Sequence, residues 1–92
     1  MITSFKDDET RRLHETGSSA RFSGIARVAL RKLIQLDAAG QLSDLRVPPG
    51  NRLGALKGNR AGRHSIRIND QWRICFRWEG ADACEVEIRD YH

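Results

Sequence analysis

An α+β fold, with two N-terminal helices packed on one face of a small, mostly antiparallel sheet, is what this sequence predicts. Two periodicities and one charge asymmetry carry that expectation. Apolar residues alternate through Ile66 and Ile68 and again through Trp72, Ile74, Phe76 and Trp78, while Ser65, Arg67, Arg73, Cys75 and Arg77 take the opposite face. A period of two with one apolar and one charged face is that of an antiparallel sheet covered on one side only. Upstream, Ile25, Ala29, Leu33 and Leu36, with Val28 beside them, recur at helical spacing, and Arg27, Arg31 and Gln35 recur on another face. Such a helix covers the apolar side of the sheet and turns its arginines to solvent. The charge is concentrated: Arg46, Arg52, Lys57, Arg60, Arg63, Arg67, Arg73 and Arg77 share their window with one acid, Asp70, so eight bases less one acid leave +7 in a chain of net charge +4.

The elements follow in order. Ile2–Phe5 is short and β-prone, and fits either an edge or a central strand. Asp7–Thr16 reads as the first helix, with Asp7, Asp8 and Glu9 at its start and Gly17 where a helix-ending glycine belongs. Ser23 is the natural N-cap of a second helix from Gly24 to about Ala38, ended by Gly40. Gln41–Asp44 has the composition of a further turn, and Pro48-Pro49-Gly50 that of a rigid loop. Leu53–Leu56 is a short strand, and Lys57–Gly62 a basic loop whose glycines permit tight turns or close approach to a ligand.

The hairpin follows, turning at Asn69-Asp70-Gln71. Its two apolar sets share a face only if Ile68 lies opposite Trp72 and Ile66 opposite Ile74, which sets Arg67 against Arg73. Like charges directly opposite each other destabilise a sheet. Such a pair either splays into water or holds an anion. Pairing Trp78 with Cys84 keeps the apolar parity into a last strand, Cys84–His92, after a loop of Glu79–Ala83. Arg77 then meets Glu85, and Arg67, Arg73 and Arg89 align across three strands; a single bulge breaks this register.

Length and composition bound the function. Ninety-two residues make one domain, residues 1–92, with a modest core. No signal-like or membrane-spanning run is present, which predicts a cytoplasmic protein with no membrane association. Cys75 and Cys84 fall on opposite faces by parity, so thiols are expected rather than a disulfide, and no metal-ligand spacing occurs. Thirteen of the sixteen bases are arginine, the side chain that forks onto phosphate and stacks on bases. A polyanion, most simply nucleic acid, is the partner such a block suits, against the plainer reading of a soluble basic surface. At the C-terminus, Asp90 and His92 are two apart and share a face in extended backbone, with Tyr91 between them. A carboxylate beside an imidazole supports proton transfer, and a tyrosine can stack on a base. The alternative is a polar end without a role.

Leu56-Lys57-Gly58-Asn59-Arg60-Ala61-Gly62, Ser65-Ile66-Arg67-Ile68, Gln71-Trp72-Arg73-Ile74-Cys75-Phe76 and the closing Asp90-Tyr91-His92, in that order, resemble the HigB branch of the RelE toxin superfamily. Ser4-Phe5-Lys6 and Pro48-Pro49-Gly50-Asn51-Arg52-Leu53 match as well, so the resemblance spans essentially the whole chain. It implies a RelE-like microbial ribonuclease fold with the active site on the sheet face away from the helices. It implies a type II toxin that cuts mRNA in the ribosomal A site, without cofactor or metal, and inhibits translation. The partners it implies are the ribosome, mRNA and a cognate helix-turn-helix antitoxin of HigA type, through which operator DNA is met only indirectly. Carried over by position, Lys57 and Arg73 are the phosphate-stabilising cations, and Asp90, Tyr91 and His92 the C-terminal catalytic group. Arg60, Arg63, Arg67, Arg77 and Arg89 are added as RNA-backbone contacts from charge and parity. Gly54 stands where some relatives carry a histidine, and His64, which parity sends towards the core, does not replace it. The general base is therefore open and a weak enzyme is expected. The competing readings are a gyrase-inhibiting toxin of ParE type, which shares the scaffold without the catalytic group, and a plain RNA-binding module.

Overall fold

Asp7 starts the first helix. In the computed structural model, which describes residues 1–60 and 62–90, its carboxylate accepts the Thr10 N–H at 3.0 Å. This satisfies one of the donors that a helix start leaves open. Helix α1, Asp8–Thr16, carries Asp8 and Glu9 in its first turn and closes on Gly17, whose positive φ of 79° lets its N–H return to the Leu13 carbonyl. Asp7→Ala should cost about 1 kcal/mol through the lost cap. The expected reading is a lower urea midpoint with an unchanged slope.

Helix α2, Ala26–Ala38, begins later than predicted, and Ser23 does not cap it. The reason lies in Phe22, which is drawn into the core and sets its ring edge-on to Trp72, with centroids 5.7 Å apart. The chain then turns, with the Ile25 N–H donating to the Phe22 carbonyl. Gly24, worth about 1 kcal/mol less than alanine inside a helix, is left in the turn. As the spacing predicts, Ala29, Leu33 and Leu36 are the buried stripe of α2.

Two 3₁₀ turns, Leu42–Arg46 and Pro49–Asn51, lead to the sheet. Its strands are β1 (Gly54–Ala55), β2 (Arg63–Arg67), β3 (Trp72–Glu79) and β4 (Asp82–Asp90), antiparallel and in chain order across the sheet. β1 is shorter than the predicted Leu53–Leu56. The segment at Ile2–Phe5 lies along the outer edge of β4, parallel to it, bridging Ile2 to Ala83 and Phe5 to Val86. Leu13, Phe22, Leu33, Leu36 and Leu45 pack against Ile66, Ile74, Phe76, Val86 and Ile88 to form the core between helices and sheet.

The hairpin has the expected register, with Ile66 opposite Ile74 and Arg67 opposite Arg73. Asn69 shapes the turn by accepting the Gln71 and Trp72 N–H groups on its side-chain oxygen, both at 2.8 Å. Between β3 and β4 the predicted register holds from Trp72–Asp90 through Cys75–Glu87 and fails beyond. Arg77 pairs with Cys84 rather than Glu85, and Trp78 with Ala83 rather than Cys84. The connection is a two-residue turn at Gly80-Ala81, with Gly80 at φ 63°, and not the loop Glu79–Ala83. The surplus residue is taken up as a bulge near Glu85, which lies in the left-handed region at φ 51°. Ala83 is therefore the buried residue, and the half-buried Cys84 moves to the arginine face, the side that also carries the fully buried Cys75. Neither cysteine is in a disulfide. Among the described residues, no helix is long and apolar enough to cross a membrane.

Candidate nucleic-acid interface

Three rows of side chains cross the sheet face that points away from the helices. The middle row, Ser65, Cys75 and Glu87, is buried. Arg73 folds back onto Ser65 at one side of it, and Lys6 reaches Glu87 at the other, at 3.5 Å. The face predicted to be open is thus closed along its centre by long side chains.

The row towards the Gly80 turn is neutralised. Glu85 receives Arg77 at 2.7 Å and Arg63 at 2.9 Å on its two oxygens, and Arg77 also pairs with Glu79. The Arg77 hydrogen bond, with Arg63 alongside, holds the Glu85 carboxyl below its ordinary range. Burial and the nearby Glu79 carboxylate push the Cys84 thiol up, so it is a poor source of thiolate.

The row at the other end is Arg67, Arg73 and Arg89, aligned as predicted. Arg67 pairs with the fully exposed Asp70, and Arg89 stands 3.7 Å from Glu87. Arg73 differs. Its Nε donates to the Ser65 hydroxyl at 2.9 Å and its Nη2 to the Arg52 carbonyl at 2.8 Å. Both acceptors are neutral, and among the described residues no carboxylate pairs with it. A planar fork fixed at two points keeps its charge and an edge for an incoming anion. Arg52, Arg67, Asn69, Asp70 and Arg73 line a cleft of about 290 Å³.

The remaining predicted residues are spread around this cleft. Lys57 is exposed between β1 and a 3₁₀ turn at Gly58–Arg60. Asp90 ends β4 opposite Trp72, hence on the Trp72 side of the sheet and not the Arg73 side, and it accepts a hydrogen bond from Gln71 Nε2 at 3.1 Å. Tyr91, His92 and the Arg60 side chain lie outside the described residues. Gly54 pairs with Ser65, on the Arg73 side, and a Cβ there would meet the Arg52 carbonyl oxygen first, at 3.8 Å. His64 faces the core side, stacked over Phe76 with centroids 6.2 Å apart.

Arg52 is a member of this cleft that sequence reading did not select. It stood in the basic window, but nothing in its own chemistry signals a left-handed backbone, φ 46°, that aims its carbonyl at Arg73. Lys32 is a second omission. It belongs to α2 and hydrogen-bonds Asn51, the residue before Arg52, and burial, then Arg31, then Arg67 lower its pKa.

The chain is a small α+β protein with an arginine-lined cleft on the sheet face turned from its helices. The chain belongs to the HigB-like toxin family: the family model described as "RelE-like toxin of type II toxin-antitoxin system HigB" matches residues 3–92. It is 45% identical over 80 residues to Toxin HigB-1 of Vibrio cholerae serotype O1, covering 85% of this chain and 84% of that one. It is 35% identical over an alignment of 98 residues to Endoribonuclease HigB of Proteus vulgaris, with the whole of both chains covered. A solved YoeB/ParE toxin from Agrobacterium tumefaciens aligns with 100% of this chain and 96% of its own at a TM-score of 0.47 and 22% identity. As a toxin of a type II system, the protein has an antitoxin partner.

Proposed function

We propose that this toxin is a ribosome-dependent endoribonuclease that cuts mRNA in the ribosomal A site without a metal ion and so inhibits translation. The observation that carries the reading is Arg73, fixed by two neutral acceptors in a cleft shared with Arg52 and Arg67. The name of the Proteus vulgaris relative, Endoribonuclease HigB, supports it. The reaction joins a ribose 2′-oxygen to the adjacent phosphorus and breaks the bond to the 5′-oxygen, leaving a 2′,3′-cyclic phosphate and a 5′-hydroxyl. Donors placed for the charge that builds on the phosphorane lower the barrier, the role given to Arg73 and Lys57. Removing the 2′-proton and protonating the 5′-oxygen are general base and acid steps. His92 is assigned to proton transfer, with Asp90 orienting it or acting as base, and Tyr91 to holding a nucleotide. Arg60, Arg63, Arg67, Arg77 and Arg89 are assigned to the RNA backbone. The antitoxin is of helix-turn-helix, HigA-like type, and the site of action is the cytoplasm.

Primer extension on mRNA from cells after brief expression tests the reading. Cuts inside translated codons support it. Intact mRNA with DNA damage would favour a gyrase inhibitor, and RNA binding without cuts a plain binding module. Binding to single-stranded RNA should weaken linearly in log Kd against log salt, and Arg52→Ala should lower that slope by about 0.7. Arg77→Ala should lower it less, because Glu79 and Glu85 already neutralise that guanidinium. Equal losses from the two variants would show that the Arg52 end of the face is not the contact surface.

A further inference from the structure

We infer that Asn51 is a positioning residue for Arg73: it fastens the Pro49–Asn51 turn to α2, so that the next carbonyl, that of Arg52, stands where the Arg73 guanidinium requires an acceptor. The catalytic part of its test rests on the ribonuclease reading above; the structural part does not.

Asn51 is polar, lies in a proline- and glycine-rich loop segment, and is 0% exposed. Its side chain is satisfied on both ends. The oxygen accepts from Lys32 Nζ, and the nitrogen donates to Gln35 Oε1 at 3.2 Å and to the Leu45 carbonyl at 3.1 Å. One amide therefore joins α2, the 3₁₀ turn at Leu42–Arg46 and the loop that leads into β1. A buried polar group with all its partners gives rigidity, and truncating it strands those partners.

The chain leaves this anchor in an uncommon way. Arg52 takes a left-handed conformation, and its N–H returns to the Pro49 carbonyl at 3.1 Å. A non-glycine residue holds that conformation when its surroundings over-determine it. The Arg52 carbonyl then takes Arg73 Nη2, while Ser65 takes Nε. Ser65 belongs to β2 and is fixed by the sheet on both sides. The Arg52 carbonyl belongs to no strand. It is as fixed as the turn that precedes it, and Asn51 ties that turn down.

The test uses the full-length toxin, its wild-type form and the variants Asn51→Ala, Arg73→Ala and the double variant. Hydrogen exchange of the Arg73 Nη2–H, followed by NMR without RNA, reads its bond to the Arg52 carbonyl directly, and the backbone amide spectrum checks the fold. Exchange should be about tenfold faster in Asn51→Ala, the scale of one lost hydrogen bond near 1.4 kcal/mol. Cleavage on translating ribosomes should fall by up to about 10²-fold in kcat, as for a small misplacement of a reacting group, with KM moved much less. In the Arg73→Ala background Asn51→Ala should cost nothing further, because residues acting through one another are not additive. Unchanged Nη2–H exchange, or the same loss of cleavage with and without Arg73, overturns the inference. Should Asn51→Ala unfold, Gln35→Ala removes one Asn51 partner from the surface of α2 and is read by the same exchange and the same double variant. If the wild type cuts no RNA, the ribonuclease reading fails, and the exchange measurement alone still decides the role of Asn51.

Discussion

Arg73→Ala is expected to cut mRNA cleavage steeply while the protein stays folded and keeps its antitoxin. The loss should be about 10²–10³ in rate, the cost of removing one preorganised donor from a developing oxyanion. The fold should tolerate it because Arg73 is half-buried on the face turned from the core, so its removal opens no cavity among Ile66, Ile74 and Phe76. It also relieves repulsion with Arg67 and Arg89, its direct neighbours across the sheet. Arg73→Lys should recover little, since an ammonium on a flexible stem cannot bond the Ser65 hydroxyl and the Arg52 carbonyl in one rigid plane and still face a phosphate. Single-turnover cleavage on translating ribosomes, with circular dichroism on both variants, makes the comparison. Wild-type rates in Arg73→Ala would remove this residue from the mechanism.

His92→Gln should lower cleavage by about 10²–10⁴-fold, the usual worth of general acid–base catalysis. Glutamine keeps a similar size and hydrogen-bonding reach but has no proton that titrates near neutrality, where imidazole does. RNA binding depends on the arginines and should hold. The pH profile separates proton transfer from mere contact. The wild-type rate should show a pH-dependent bend that the rate of His92→Gln lacks. An unchanged rate and profile would leave Lys57, Arg73 and the ribosome itself to supply the chemistry, with Asp90-Tyr91-His92 a polar end of the chain.

Where each residue's neighbours are dictated by periodicity, the sequence was a sound guide. Helix α1 announced both its ends, through Asp7 and Gly17. The apolar parity of β2 and β3 allowed one register, which delivered the Arg67–Arg73 pair. What remained hidden depended on backbone conformations that residue type does not encode. Glu85 and Arg52 both adopt positive φ with no glycine to advertise it. The first moves Cys84 across the sheet and lets Glu85 bind Arg63 and Arg77 together, so that two of the expected RNA contacts carry a carboxylate. The second builds a wall of the cleft. Asn51 reads as a loop residue because asparagine is usual in loops, and only the packing of α2 against the turn shows it buried. Ser23 is a good cap by type, yet the pull of Phe22 into the core outweighed it.

The strip at Ile2–Phe5 is held by groups about eighty positions away: the Thr3 N–H bonds the Ala83 carbonyl at 2.8 Å and the Lys6 N–H that of Val86 at 2.9 Å. Joining segments so far apart carries a large loop-closure cost and comes late in folding. During synthesis, residues 2–6 are made first among these and β4 last, so the strip has no strand to lie against until β4 has left the ribosome. Until then β3 also lacks its outer neighbour and the Arg67–Arg73–Arg89 row lacks its third member. A nascent chain whose β4 has not docked is thus an unfinished sheet, without Arg89 beside Arg73. The interval before β4 docks is one in which the cell carries the chain but not the complete arginine row.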